Sequence, residues 1–118
     1  MKKEREIIFY GEHFVQYYLT LPGRLQEKIE YIFKLIKSVK RIPEKFLKHI
    51  EGTAGLFEIR IEFSGNAHRI FCCFDGGSLV VLFNAFQKKA QKTPAREIDL
   101  ATKLMKEYFE HKGKIWKT

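Results

Sequence analysis

The sequence predicts a single α+β domain, with hairpin-linked strands forming an antiparallel sheet in the element order β-α-α-β-β-β-α. Three observations predict it. Residues 56–63, Leu-Phe-Glu-Ile-Arg-Ile-Glu-Phe, alternate between two sets with the period of two of a strand that buries one face. Two glycine turns, Ser64-Gly65-Asn66 and Asp75-Gly76-Gly77-Ser78, tie that run to two further apolar runs, which must then be antiparallel neighbours. The flanking segments carry apolar residues three and four apart, the spacing of amphipathic helices.

In chain order, Arg5 to Tyr10 is a short β-like run bounded by Gly11. From Glu12 the spacing of Phe14, Tyr17, Tyr18 and Leu21 is helical, until Leu21-Pro22-Gly23 breaks it. A second helix begins near Arg24. Its stripe is Leu25, Ile29, Ile32, Leu35 or Ile36, and Val39, and it ends before Pro43, with Lys28, Lys34, Lys37 and Lys40 on the opposite face. The two segments read as a helical hairpin. His68 to Asp75 is a mostly apolar strand. Leu79 to Phe86 is apolar on both faces except for Asn84, as a central strand would be. After the polar loop Gln87 to Lys92, Thr93 is placed to cap a helix that has Pro94 at its first position. That helix is expected to run to about His111, with Ile98, Ala101, Met105 and Tyr108 or Phe109 facing inward. The domain then spans residues 1–111, and 112–118 form a basic C-terminal tail.

Composition narrows the function classes. The chain has 118 residues, with 22 Lys and Arg against 14 Asp and Glu, a net charge of +8. That length suits one domain with one real core. A 45% hydrophobic and 14% aromatic content excludes general disorder. There is no run of about 18 apolar residues to span a membrane. The N-terminal apolar stretch, Ile7 to Tyr10, is shorter than a signal peptide needs, so a cytoplasmic protein is expected. Cys72 and Cys73 are adjacent, point to opposite faces of a strand and are expected to be reduced structural thiols. Neither C-x-x-C nor H-x-x-x-H occurs, and there is no P-loop, G-x-S-x-G or G-x-G-x-x-G, so no metal or cofactor is expected. What remains is positive charge, which suits a polyanion.

The turns give that charge a place. If Gly65-Asn66 is a two-residue loop, Glu62 faces Arg69 and Arg60 faces Phe71. If Gly76-Gly77 is another, Arg69 faces Asn84, and Lys88 continues toward the same side. One end of one sheet face then collects Arg60, Glu62, Arg69, Asn84 and Lys88. Its other end holds Leu56, Phe71, Cys73, Val80 and Leu82. The core face collects Phe57, Ile59, Ile61, Ile70, Cys72, Phe74, Leu79, Val81 and Phe83. The plain alternative pairs the arginines with Glu58 and Glu62 across a solvated face. Favouring a site, Gln87 to Arg96 holds Lys88, Lys89, Lys92 and Arg96 without one acid. Such a cluster suits phosphates. His68 and His49 are candidate proton carriers, although an ordinary strand-end role is the commoner one. A basic site without metal can still cleave RNA, whose 2′-hydroxyl is its own nucleophile.

Four stretches, Leu56-Phe-Glu-Ile-Arg-Ile, Arg69-Ile-Phe, Leu82-Phe-Asn-Ala-Phe-Gln-Lys-Lys89 and Gln91-Lys-Thr-Pro-Ala-Arg-Glu-Ile-Asp-Leu-Ala101, resemble the phage-derived branch of the RelE/HigB toxin family. The resemblance covers roughly residues 5–110. It implies a RelE/ParE-like fold, a twisted antiparallel sheet with two N-terminal helices packed on one face and a C-terminal helix. It implies the toxin of a type II toxin–antitoxin pair, a metal-independent, ribosome-dependent mRNA endoribonuclease. Its partners would be the ribosome, mRNA and a cognate antitoxin of helix-turn-helix type, with operator DNA bound only through the toxin–antitoxin complex and no membrane involved.

By the same resemblance, Arg69 contacts the scissile phosphate and Arg60 lies near the attacking hydroxyl. Lys88 or Lys89 supports the phosphate or the leaving group. Lys48, His68, Asn84, Lys92 and Arg96 would contact nucleic acid. Lys37, Lys40 and Arg41, with Lys34, Lys45 and Lys48, would grip ribosomal RNA. The chain departs from its relatives in two ways. The only C-terminal tyrosine placed to stack on a base is Tyr108, whose spacing is that of core. The histidine and aspartate used by some HigB relatives have no C-terminal match, so general acid and base stay unassigned. A ParE-like gyrase poison and a non-catalytic RNA-binding module are the alternatives.

Overall fold

The computed structural model describes the backbone of residues 3–116 and the side chains of residues 3–112. Along the chain run β1 (Glu6–Phe9), α1 (His13–Leu19), α2 (Gly23–Ser38), β2 (Leu47–His49), β3 (Phe57–Phe63), β4 (Asn66–Asp75), β5 (Leu79–Lys88) and α3 (Ala95–Trp116). The strands form one sheet in the order β1-β5-β4-β3-β2. The α+β class and the expected element order are present, with two corrections.

First, the sheet is mixed: β1 runs parallel to β5, with Ile7 opposite Val80 and Phe9 opposite Leu82. A tight turn dictates antiparallel pairing, but no turn joins β1 to its neighbour, so local sequence left their direction open. Second, β2 is an additional edge strand. Three residues are too few for a periodic signal, and β2 exists because β3 offers it a partner. The Arg60 N–H donates to the Phe46 carbonyl at 2.8 Å, and the Ile50 N–H to the Leu56 carbonyl at 2.9 Å.

Both ends of α2 and the start of α3 have a physical cause. Pro22, extended at ψ 152°, precedes the first residue of α2. Pro94 likewise precedes α3, its carbonyl accepting the Glu97 N–H at 3.1 Å, so α3 starts one residue later than the Thr93 cap implied. At the C-terminal end of α2, the Arg5 guanidinium donates to the carbonyls of Ile36, Val39 and Lys40 at 3.0, 2.6 and 2.8 Å. Those carbonyls belong to the helix end and the turn after it, where cations are favoured. α3 continues past His111 to Trp116, so the expected tail is helical where it is described; residues 117 and 118 lie outside the described residues. Lys112 holds this stretch to the sheet, its ammonium 2.6 Å from Asp75 Oδ2.

The two hairpins decide which residues share a face. The β3–β4 loop is Ser64-Gly65, with φ of 49° and 79°, the positive pair that a two-residue hairpin turn requires. Phe63 therefore pairs with Asn66, and Arg60 with Arg69. The expected register was two residues out, an even slip that leaves every side chain on its predicted face. The β4–β5 loop has three residues, Gly76 to Ser78, because Asp75 pairs with Leu79. That odd change turns the start of β5 over. Val80 and Leu82, expected on the outer face, lie in the core with Ile59, Ile61, Ile70 and Cys72 under α1 and α2. Leu79, Val81 and Phe83, expected in that core, pack with Leu56, Phe71 and Cys73 under α3. A β-bulge then restores the parity. Cys72 pairs with Leu82 and Ile70 with Ala85, so Phe83 and Asn84 together stand opposite Phe71.

Candidate nucleic-acid interface

α3 closes the Leu56–Phe83 half of its sheet face and leaves the other half open. Three rows of partners cross the rest of that face, in which Phe71, Phe86, Glu58 and Arg69 are buried and the charged ends are exposed or half-buried: Lys48–Glu58–Phe71, Arg60–Arg69–Phe86 and Glu62–Ala67–Lys88. Lys88 is there because the bulge returns the end of β5 to the arginine face. Arg60 and Arg69 are directly opposed, and like charges so placed repel. Glu58, one row along, offsets that repulsion. Its Oε2 lies 3.4 Å from Arg60 Nε and 3.8 Å from Arg69 Nε. Glu62 Oε1 lies 3.8 Å from a terminal nitrogen of Arg69.

The two arginines differ in access. Arg69 is 3% exposed, whereas the Arg60 side chain is 30% exposed. Arg69 Nη1 donates to the His68 carbonyl at 3.0 Å, and its Nε is buried with no hydrogen-bond partner. The carboxylate on its open side belongs to Glu62, whose side chain is 69% exposed and free to swing away.

Of the other candidates, Lys48 joins the site from β2, and exposed Lys89, Lys92 and Arg96 stand on the segment following β5. Arg96 Nε lies 3.8 Å from Glu97 Oε2. Asn84 does not face Arg69 as expected; Phe86 does. Placed by the bulge toward α3, Asn84 donates through Nδ2 to the Glu97 carbonyl at 3.1 Å and to Glu97 Oε1 at 3.0 Å. His68 pairs with Ile61 and so lies on the opposite, helix-covered face, its Nδ1 2.6 Å from the Tyr17 hydroxyl. Burial lowers the His68 pKa, with Glu62 opposing that shift and Arg69 adding to it, and burial pushes Tyr17 up to about 12. His49 packs edge-on against Phe57, also on the helix side. Lys37 in α2, and Lys40 and Arg41 just after it, lie around the helix end that Arg5 caps, away from the arginine face. Tyr108 is core, as its spacing implied. Its hydroxyl donates to Asp75 Oδ2 at 2.6 Å, and its pKa is pushed up to about 12, first by burial and then by that bond.

Reading by function alone missed Glu58, which period-two alternation had already placed beside Arg60. The ion pairs of the plain alternative are present, and they are what hold the arginines in place. Cys72 and Cys73 are free, buried and on opposite faces, with burial raising both thiol pKa values. Among the described residues no group of three or more His, Cys, Asp or Glu could hold a metal ion, and no helix is long and apolar enough to cross a membrane. What this geometry can do is bind a phosphodiester: Arg60, Lys48 and Lys88 are reachable from solvent, and Arg69 waits behind Glu62.

The family model described as phage-derived protein Gp49-like (DUF891) matches residues 16–106. No curated protein matches the chain.

Proposed function

Because the chain belongs to the phage-derived Gp49-like (DUF891) family, we propose that it is the toxin of a type II toxin–antitoxin pair and acts in the cytoplasm as a ribosome-dependent mRNA endoribonuclease. The observation that carries this reading is the Arg60–Arg69 cross-strand pair, continued by Lys88 in the next row of one open sheet face. Cleavage needs the RNA 2′-hydroxyl held in line with the scissile phosphate, charge placed where the phosphorane becomes dianionic, and help for the departing 5′-oxygen. Arg60, the more exposed arginine, lies nearest the attacking hydroxyl. Arg69 takes a phosphate oxygen once the phosphate displaces Glu62. Lys88, with Lys89 beyond the strand end, supports the leaving group. Lys48, Lys92 and Arg96 hold the flanking backbone, and a helix-turn-helix antitoxin covers this face in the inactive complex.

Expression in bacteria is expected to arrest growth and to cut translated mRNA, as mapped by primer extension. Arg60→Ala and Lys88→Ala are each expected to lower the cleavage rate by about 10²-fold or more while leaving the protein folded. A folded Arg60→Ala protein that cuts mRNA at the wild-type rate would overturn the assignment.

A further inference from the structure

A second feature adjoins the arginines. A cleft of about 170 Å³ opens between β2 and the loop leading into α3, lined by Lys48, His49, Ile50, Glu51, Glu58 and Thr93. Its inner wall is Glu58, a buried carboxylate at 8% exposure. Both arginines make their closest approach to the same oxygen, Oε2. Among the described residues no hydrogen bond engages either oxygen of this carboxylate, and Oε1 is the one further from both arginines. Lys48 stands directly across from Glu58 on β2.

We propose that this cleft takes the nucleobase adjoining the bound phosphate, and that Glu58 accepts a hydrogen bond from the exocyclic amino group of that base. The inference rests on the RNA-binding reading above and adds a base preference to it. A carboxylate held between two guanidinium groups only accepts hydrogen bonds. Cytosine, adenine and guanine each offer an amino group. Uracil turns its O4 carbonyl toward the same place, where two acceptors face each other and neither is satisfied. A phosphate on Arg60 brings its base to the next row of the face, the row of Lys48 and Glu58.

The test measures binding without cleavage, using 2′-O-methyl hexamers of cytidine and of uridine, which differ at the base only in that group and the adjoining ring nitrogen. The intact protein is expected to bind the cytidine hexamer about tenfold more tightly at fixed salt. Glu58→Gln, which can turn its amide to donate to a carbonyl, is expected to abolish or invert the preference. Should Glu58→Gln fail to melt cooperatively, Thr93→Tyr, which fills the cleft from its rim, is expected to abolish the preference. Equal binding of both hexamers overturns the base subsite and leaves the proposed function standing. A cytidine preference that survives folded Glu58→Gln, or Thr93→Tyr where Glu58→Gln does not fold, likewise overturns it. Failure of the protein to bind either hexamer overturns the base subsite, whereas the proposed function falls only if expression leaves translated mRNA uncut.

Discussion

The two faces of the sheet are built from the same strands and solve opposite problems. Under α1 and α2, Ile59, Ile61, Ile70, Cys72, Val80 and Leu82 form a continuous apolar floor with almost no exposed area. The other face is apolar only where α3 reaches it, over Leu56, Phe71, Cys73, Val81 and Phe83. Beyond α3 it turns to charge, and there Arg60, Arg69, Glu58 and Glu62 are held by one another, with Lys88 opposite Ala67 in the next row. The first face spends its residues on cohesion. The second gives up cohesion over half its area to hold guanidinium groups in fixed positions, which is what recognition of a phosphodiester needs. Neighbouring residues of β3 therefore have unlike tasks.

Substituting adjacent residues of that strand sharpens the contrast most. Ile59→Ala, at a fully buried position, is expected to cost about 2–5 kcal/mol in urea denaturation. Arg60→Ala, next to it, is expected to change stability by less than about 1 kcal/mol, since its partly exposed ion pair is screened and its removal also relieves repulsion with Arg69. Comparable losses at both positions would erase the distinction between the faces. The charged face has its own weak point. Glu58→Ala leaves Arg69 buried beside Arg60 with its main counter-charge gone, and a loss of about 2–3 kcal/mol is expected. A variant as stable as the wild type would show that Glu58 is not what holds the arginines.

The boundary between the covered and open halves rests on Asn84. Its bonds to the Glu97 carbonyl and carboxylate pin the first turn of α3 to the bulge in β5. Asn84→Ala is expected to cost about 1–2 kcal/mol. Hydrogen exchange should quicken in the first turn of α3 and stay slow in β3. Uniform loosening throughout the sheet would place the effect elsewhere. Smaller still is the effect at Glu62, the exposed carboxylate over Arg69. Glu62→Gln is expected to leave stability unchanged and to tighten binding of an uncleavable RNA about threefold, because the phosphate no longer competes for Arg69. Glu27→Gln, an exposed acid on α2, controls for the change in net charge; equal effects would deny Glu62 any special place.

Much of this geometry was legible in the residues, and the parts that were not share a cause. Alternation over 56–63 placed Ile59 and Ile61 on one face and Glu58, Arg60 and Glu62 on the other, because period two is a property of the strand itself. That both arginines share a face also followed, since the slip at Ser64-Gly65 was even. What alternation cannot report is loop length at Gly76 to Ser78, or a bulge beside Phe71. Each shifts the register by one residue in the same direction, the two add to an even slip, and their product is a β5 that is turned over at Val80 to Phe83 and correct again at Phe86 and Lys88. Asn84 was misplaced for that reason. His68 was misread differently: it lies next to Arg69 in sequence, and adjacency along a strand means opposite faces. β2 and the parallel β1 were out of reach because their pairing is set by distant partners.

His68 sets the finest test of the comparison, because it is a titrating group on the helix-covered face, opposite the proposed binding site. Neutral, it meets the Tyr17 hydroxyl at 2.6 Å in a buried setting, and burial lowers its pKa below the ordinary value of 6.5. At pH 7 the folded chain carries it neutral and the unfolded chain carries it mostly neutral. As pH falls below that ordinary value, the unfolded chain takes up a proton that the folded chain resists, so stability declines. The decline ends only once pH has fallen through the depressed folded value. The melting temperature is therefore expected to fall from pH 7 to pH 5, and His68→Gln to flatten much of that slope. RNA affinity over the same window is expected to respond less than stability does, because the ring lies beneath α1 on the opposite side of the sheet from Arg60. An affinity change that tracked the titration of His68 and vanished in His68→Gln would mean that the two faces are coupled through β4, and that the separation drawn between cohesion and recognition does not hold at this strand.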